Sequence, residues 1–166
     1  MFELKPLSTE AVPRAVAKAE RYRLLNEPGE AQSICLDVLA ADPDNQEAMA
    51  TLILALTDQF GDQPSLVTEA LAAVAGLGDP YDRAYYAGIV QERRAKALLK
   101  HGTRRSGPSV YEWLRIAMDR YEAADAIRPV NNDDARLRWN ACARLIASNR
   151  DLVPMADEPS EPLLSE

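Results

Sequence analysis

Apolar residues recur along this chain three and four positions apart in seven separate stretches, and almost nowhere with the strict alternation of a strand. The pattern predicts an all-α protein. A first helix spans about Thr9 to Leu25, with Thr9 as its cap and Pro13 early enough to be tolerated, before Asn26-Glu27-Pro28-Gly29 turns the chain. The second, Pro28 to about Ala41, places Ala31, Ile34, Cys35, Val38 and Leu39 on one buried face until Asp42-Pro43 stops it. Asn45 caps a third helix to about Gln59, with Met49, Leu52, Ile53 and Leu56 inward and a loop from Phe60 to Pro64 after it. Ser65 caps a short Ala-rich fourth helix, Leu66 to about Ala75, which Gly76-Leu77-Gly78 ends by supplying a left-handed residue.

Asp79 as cap, Pro80 in the first turn and Asp82 near the positive end of the dipole make a strong start for a fifth helix, which extends to about Lys100. Its stripe is Ala84, Tyr85, Gly88, Ala95 and Leu98. Pro108 opens a sixth helix to about Ile127, with Val110, Trp113, Leu114, Ala117, Tyr121 and Ala124 inside and Pro129 closing it. Asn132 caps a seventh, Asp133 to about Ser148, whose inner residues are Trp139, Cys142, Leu145 and Ile146. Beyond Arg150 the helical pattern stops.

One spacing repeats. Ala31, Cys35, Val38 and Pro43 correspond to Ala117, Tyr121, Ala124 and Pro129: a small residue, a larger one four on, a small or medium one three on, a proline five on. This resembles the second helix of the tetratricopeptide repeat. In that family the first helix of each repeat carries a small residue where the two helices cross and an aromatic soon after. Ala19 followed by Tyr22 fits, and so does Gly88, although Gln91 stands where the aromatic would be. The resemblance covers about residues 10–148 and implies a right-handed superhelical stack of three hairpins closed by a C-terminal capping helix. The family period is about 34 residues, whereas Pro43, Pro80 and Pro129 are more widely and unevenly spaced. The expected organisation is an extension over residues 1–8, a repeat domain over 9–149 and an acidic, Pro-containing, disordered tail over 150–166.

In such a stack the first helix of each hairpin lines a concave groove. The resemblance therefore implies Val16, Glu20, Arg23, Ala50, Leu54, Tyr85, Ile89, Arg136 and Asn140 as groove residues, a mixed apolar and charged surface suited to an extended peptide or a partner helix. Members that bind heat-shock chaperones clamp a terminal carboxylate with lysine, asparagine and arginine. Val16, Glu20 and Ala50 offer no such clamp, so that role is not implied.

Charge changes the picture in two places. Of 26 acids, five fall from Asp151 onward with no base among them, so the body carries 21 acids against 19 bases and the tail is a separate electrostatic object. Within the body, Arg93, Lys96, Lys100, Arg104 and Arg105 concentrate around the end of the fifth helix, with the first three on one face. A solvated face is the simpler reading, and an anionic partner the sharper one. No aromatic interleaving accompanies the patch, which disfavours nucleic acid.

The chemistry of catalysis is sparse. His101 is the only histidine and has no evident nucleophile nearby in sequence, Cys35 and Cys142 lack the spacing of a metal or redox site, and no phosphate-binding glycine motif is present. The expectation is a non-catalytic protein-binding adaptor or scaffold without cofactor or metal, with two reduced, packed thiols. Alternatives are a structural subunit that self-associates or enters a larger complex, and a regulator that binds an anion through the basic hairpin. Met1 to Glu10 lacks the apolar run of a secretory signal, and no run reaches the ~20 apolar residues of a membrane span. A cytoplasmic protein follows as the expectation.

Overall fold

A computed structural model describes residues 2–155. Among these, seven α-helices account for nearly all regular structure, and no strand is present. They are α1 (Val12–Leu24), α2 (Pro28–Ala41), α3 (Gln46–Thr57), α4 (Leu66–Ala75), α5 (Pro80–His101), α6 (Gly107–Ala126) and α7 (Asp134–Ser148), with single 3₁₀ turns over Thr9–Ala11 and Arg104–Ser106.

Local chemistry sets most boundaries. Proline stands in the first turn of α1, α2, α5 and α6, where its missing N–H costs nothing. The Asn45 side chain accepts from the Ala48 amide, and Asp79 accepts from the amides of Tyr81 and Asp82. Three expected caps differ. Thr9 belongs to the 3₁₀ turn, so α1 begins at Val12 without a side-chain cap, and Ser65 occupies the cap position of α4 without making the bond. Asn132 precedes α7 by two residues, but its side-chain Oδ1 still accepts from the Asp134 amide. Left-handed backbone was expected at Gly76 to Gly78, yet no described glycine has positive φ. Asn26 (φ 61°) and Asn131 (φ 64°) take that role in the turns after α1 and α6.

Each helix packs on its neighbours in sequence, and α1 also touches α3, as α3 touches α5. The repeated spacing is a spacing of core positions: Ala31, Cys35, Val38, Ala117, Tyr121 and Ala124 are all fully buried. At Gly88 the reason for a missing side chain is steric. A Cβ there would lie 2.5 Å from the Tyr121 ring, so glycine lets α5 and α6 close on each other. Phe60 and Leu77, in the loops on either side of α4, are also buried and join the core between α3, α4 and α5.

The ordered body extends past the expected boundary at residue 149. Leu152 is buried against the α5–α6 cluster, and the Asp151 backbone crosses Gly107 so closely that a Cβ there would meet its carbonyl oxygen at 2.1 Å. The rest of the expected disordered tail, from residue 156, lies outside the described residues. No described helix is long and apolar enough to cross a membrane.

Candidate functional site

The odd-numbered helices come together around a trough of about 670 Å³, whose polar and charged walls are Arg23 of α1, Asp58 at the end of α3, Arg93, Lys96, Lys100 and His101 of α5, and Arg138 of α7. Five permanent cations face it. Two carboxylates organise four of them. Asp58 accepts from Arg23 Nε at 2.7 Å and from Arg93 Nη1 at 2.9 Å, tying α1 to α5. Glu92 accepts from Lys96 Nζ at 2.5 Å and from Arg138 Nη1 at 3.3 Å, tying α5 to α7. Lys100 makes no ion pair among the described residues, so the trough keeps a surplus of three positive charges.

Glu92 is the unusual member because its side chain is fully buried. Its second oxygen receives the Tyr121 hydroxyl at 2.5 Å, so both oxygens are occupied. Burial by itself would raise this carboxyl; hydrogen bonds from Lys96 and Tyr121, with the charges of Lys96 and Arg138, outweigh it and hold the group below its ordinary value. The same burial, reinforced by the Glu92 charge, pushes the Tyr121 hydroxyl far up, so it remains a donor. For Arg138, burial opposes the charge, and Glu92 together with Tyr85 and Tyr121 more than restores it. Each arginine contributes one guanidinium position to its carboxylate in these bonds, leaving further N–H groups to meet a ligand.

The groove residues expected from sequence scatter. Arg23 lines the trough. Val16 and Ile89 are buried in the core, Leu54 and Tyr85 are half-buried against the α5–α6 cluster, Ala50 is half-buried on α3, and Glu20 is exposed on α1. Arg136 and Asn140 line a different crevice with Glu122 and Trp139, between α6 and α7, where Arg136 pairs with Asp125 at 2.7 Å. The α7 residue that reaches the trough is Arg138. Of the basic patch, Arg93, Lys96 and Lys100 share the trough, whereas Arg104 binds Asp151 at 3.1 Å and Arg105 is exposed outside it.

Sequence reasoning missed Asp58, Glu92 and Arg138. Glu92 did carry a signal: it sits four residues before Lys96 and one turn after Gly88, on the face of α5 already assigned to close packing.

A second depression adjoins the trough and shares Gly61, Ala97 and His101 with it. It measures about 320 Å³ and is walled by Phe60, Val67, Leu98 and Trp113, with the Arg94 guanidinium 3.7 Å over the Trp113 ring. Both cysteines are buried and unpaired, and burial raises their thiols, Cys35 to about 11 and Cys142 to about 12, with a further push from Glu20 and Glu92 respectively. Among the described residues no three of His, Cys, Asp and Glu cluster as metal ligands. No family model matches the chain, and neither does any curated protein or solved structure.

Proposed function

We propose that this chain is a non-catalytic, tetratricopeptide-like interaction module of the cytoplasm, whose trough holds an acidic stretch of a partner polypeptide. The observation that carries this reading is the pair of bridging carboxylates. Asp58 and Glu92 fix four cations from three helices in one concave wall, so a ligand carboxylate meets donors already held in place and need not order them. The repeat reading draws support from the α1–α3 and α3–α5 contacts and from the Gly88–Tyr121 crossing, which fit hairpins stacked side by side into a superhelix.

The test is fluorescence anisotropy with a labelled hexaglutamate peptide, and a hexalysine peptide as control. The acidic probe should bind and the basic one should not, with affinity falling as salt rises. Lys100→Glu and Arg93→Glu should each weaken the acidic probe by at least about fivefold, the order expected when a contact near 4 Å at a hydrated surface changes sign. Equal binding of both peptides, or indifference to both substitutions, would sink the proposal.

A second reading, a structural subunit, is favoured by one observation. Ile127, Val130 and Leu137, around the turn between α6 and α7, are 55%, 91% and 64% exposed. Light scattering after size separation distinguishes the two. A mass that stays monomeric as concentration rises favours the module, and a stable dimer that Leu137→Ser dissolves favours assembly through this end.

A further inference from the structure

We infer that residues 156–166 of this same chain dock across the trough and the apolar cleft beside it, so that a partner must displace this segment to bind. The inference rests on the trough being the partner surface, and three observations lead to it.

The first is charge. The segment contains Asp157, Glu158, Glu161 and Glu166 and no base, opposite a wall with three surplus positive charges.

The second is the apolar cleft. Acid alone would satisfy the trough, but the cleft that shares Gly61, Ala97 and His101 with it offers an apolar wall of Phe60, Leu98 and Trp113. The segment's only large apolar residues, Leu163 and Leu164, follow its acids Asp157 to Glu161. A segment that carries carboxylates and an apolar pair a few residues apart can occupy two depressions that adjoin.

The third is where the segment begins. Leu152 is anchored in a hollow that Leu99 and Gly102 also line, at the same end of α5 as Lys100 and His101 but on another face of that helix. From Arg93 to His101 the α5 axis advances only about 12 Å, whereas eleven extended residues reach about 36–40 Å. A segment tethered this closely has an effective concentration of order millimolar, so even a weak contact is substantially occupied.

The test compares the full chain with a full-length variant carrying Asp157→Asn, Glu158→Gln, Glu161→Gln, Leu163→Ser and Leu164→Ser, whose helical content is verified by circular dichroism. Two labelled probes are titrated by anisotropy: a peptide of the sequence of residues 156–166, and hexaglutamate. The 156–166 peptide should bind the variant about tenfold more tightly than the natural chain, because the tethered competitor has been removed. Adding Lys100→Glu to the variant should weaken that binding at least about fivefold. Equal affinity for the two chains overturns the inference. If hexaglutamate binds in a Lys100-dependent way while the 156–166 peptide does not bind, the trough reading stands and the docked segment falls. If neither peptide binds either chain, both fall. A natural chain that dimerises, and reverts to monomer in the variant, would place the segment on a second copy and overturn the intramolecular form.

Discussion

Asp58 and Glu92 are each a carboxylate gripped by two cations from different helices, yet they occupy opposite surroundings. The Asp58 side chain keeps 20% of its surface in solvent, as do 24% of Arg23 and 30% of Arg93. Glu92 keeps none, and it needs Tyr121, Lys96 and Arg138 together to offset the loss of water. The hydrated bridge stores little folding free energy and mainly sets the charge of the trough. The buried one locks α5 to α6 and α7, and the trough inherits its shape from that lock.

Substitution separates the two roles. Glu92→Ala should cost about 3–5 kcal/mol in urea unfolding, since it leaves the Tyr121 hydroxyl unpaired in the core and opens a cavity. Asp58→Ala should cost no more than about 1 kcal/mol. Similar losses at both sites would erase the distinction between lock and bridge.

Gly88→Ala tests the same lock from its steric side. With the Tyr121 ring 2.5 Å from the new methyl, α5 and α6 must part, and the loss should be about 1–3 kcal/mol by thermal or chemical unfolding. Tyr121→Leu carries its own cost because it strips a hydrogen bond from Glu92, but in that background Gly88→Ala should cost less than it does in the natural chain if crowding by the ring is the cause.

Acid provides a gentler probe. The folded Glu92 carboxyl lies below its ordinary value of 4.5, so the native state favours its charged form. Its contribution is fully present above the unfolded value and disappears as pH falls through the folded one. Stability measured downward from pH 5 should therefore drop more steeply in the natural chain than in Glu92→Gln. Parallel curves would mean that other carboxyls carry the acid sensitivity. The smallest effects belong to the exposed bridge. Asp58→Asn should leave stability within about 1 kcal/mol and change the affinity for an acidic probe by no more than roughly threefold at low salt, because losing one negative charge and loosening Arg23 and Arg93 act in opposite directions.

The helices were legible because their punctuation is local. Pro28 to Ala41 and Leu66 to Ala75 match the expected second and fourth helices residue for residue. Each starts beside a proline or serine and ends at a breaker within the same few residues. The candidate site was legible only in part. Arg93, Lys96 and Lys100 share a face because they lie on one helix at one-turn spacing. Placing Arg138 rather than Arg136 toward them depends on how α7 is rotated about its own axis, and that is set by Cys142 and Ala135 entering the α6 cluster.

The sequence by itself determined an all-helical chain and the positions of its core-forming small residues. Those follow from dihedral preference, helical period and residue volume, which act over a few neighbours. Only the tertiary structure decided that Asp58 meets Arg23 and Arg93, that Glu92 is sealed beneath Tyr121, and that Leu152 packs into the α5–α6 cluster. Asp58 lies 35 residues from each of its arginines, and Glu92 lies 46 from Arg138. Pairings at such separations have no local signature, because they are fixed by the stacking of whole helices.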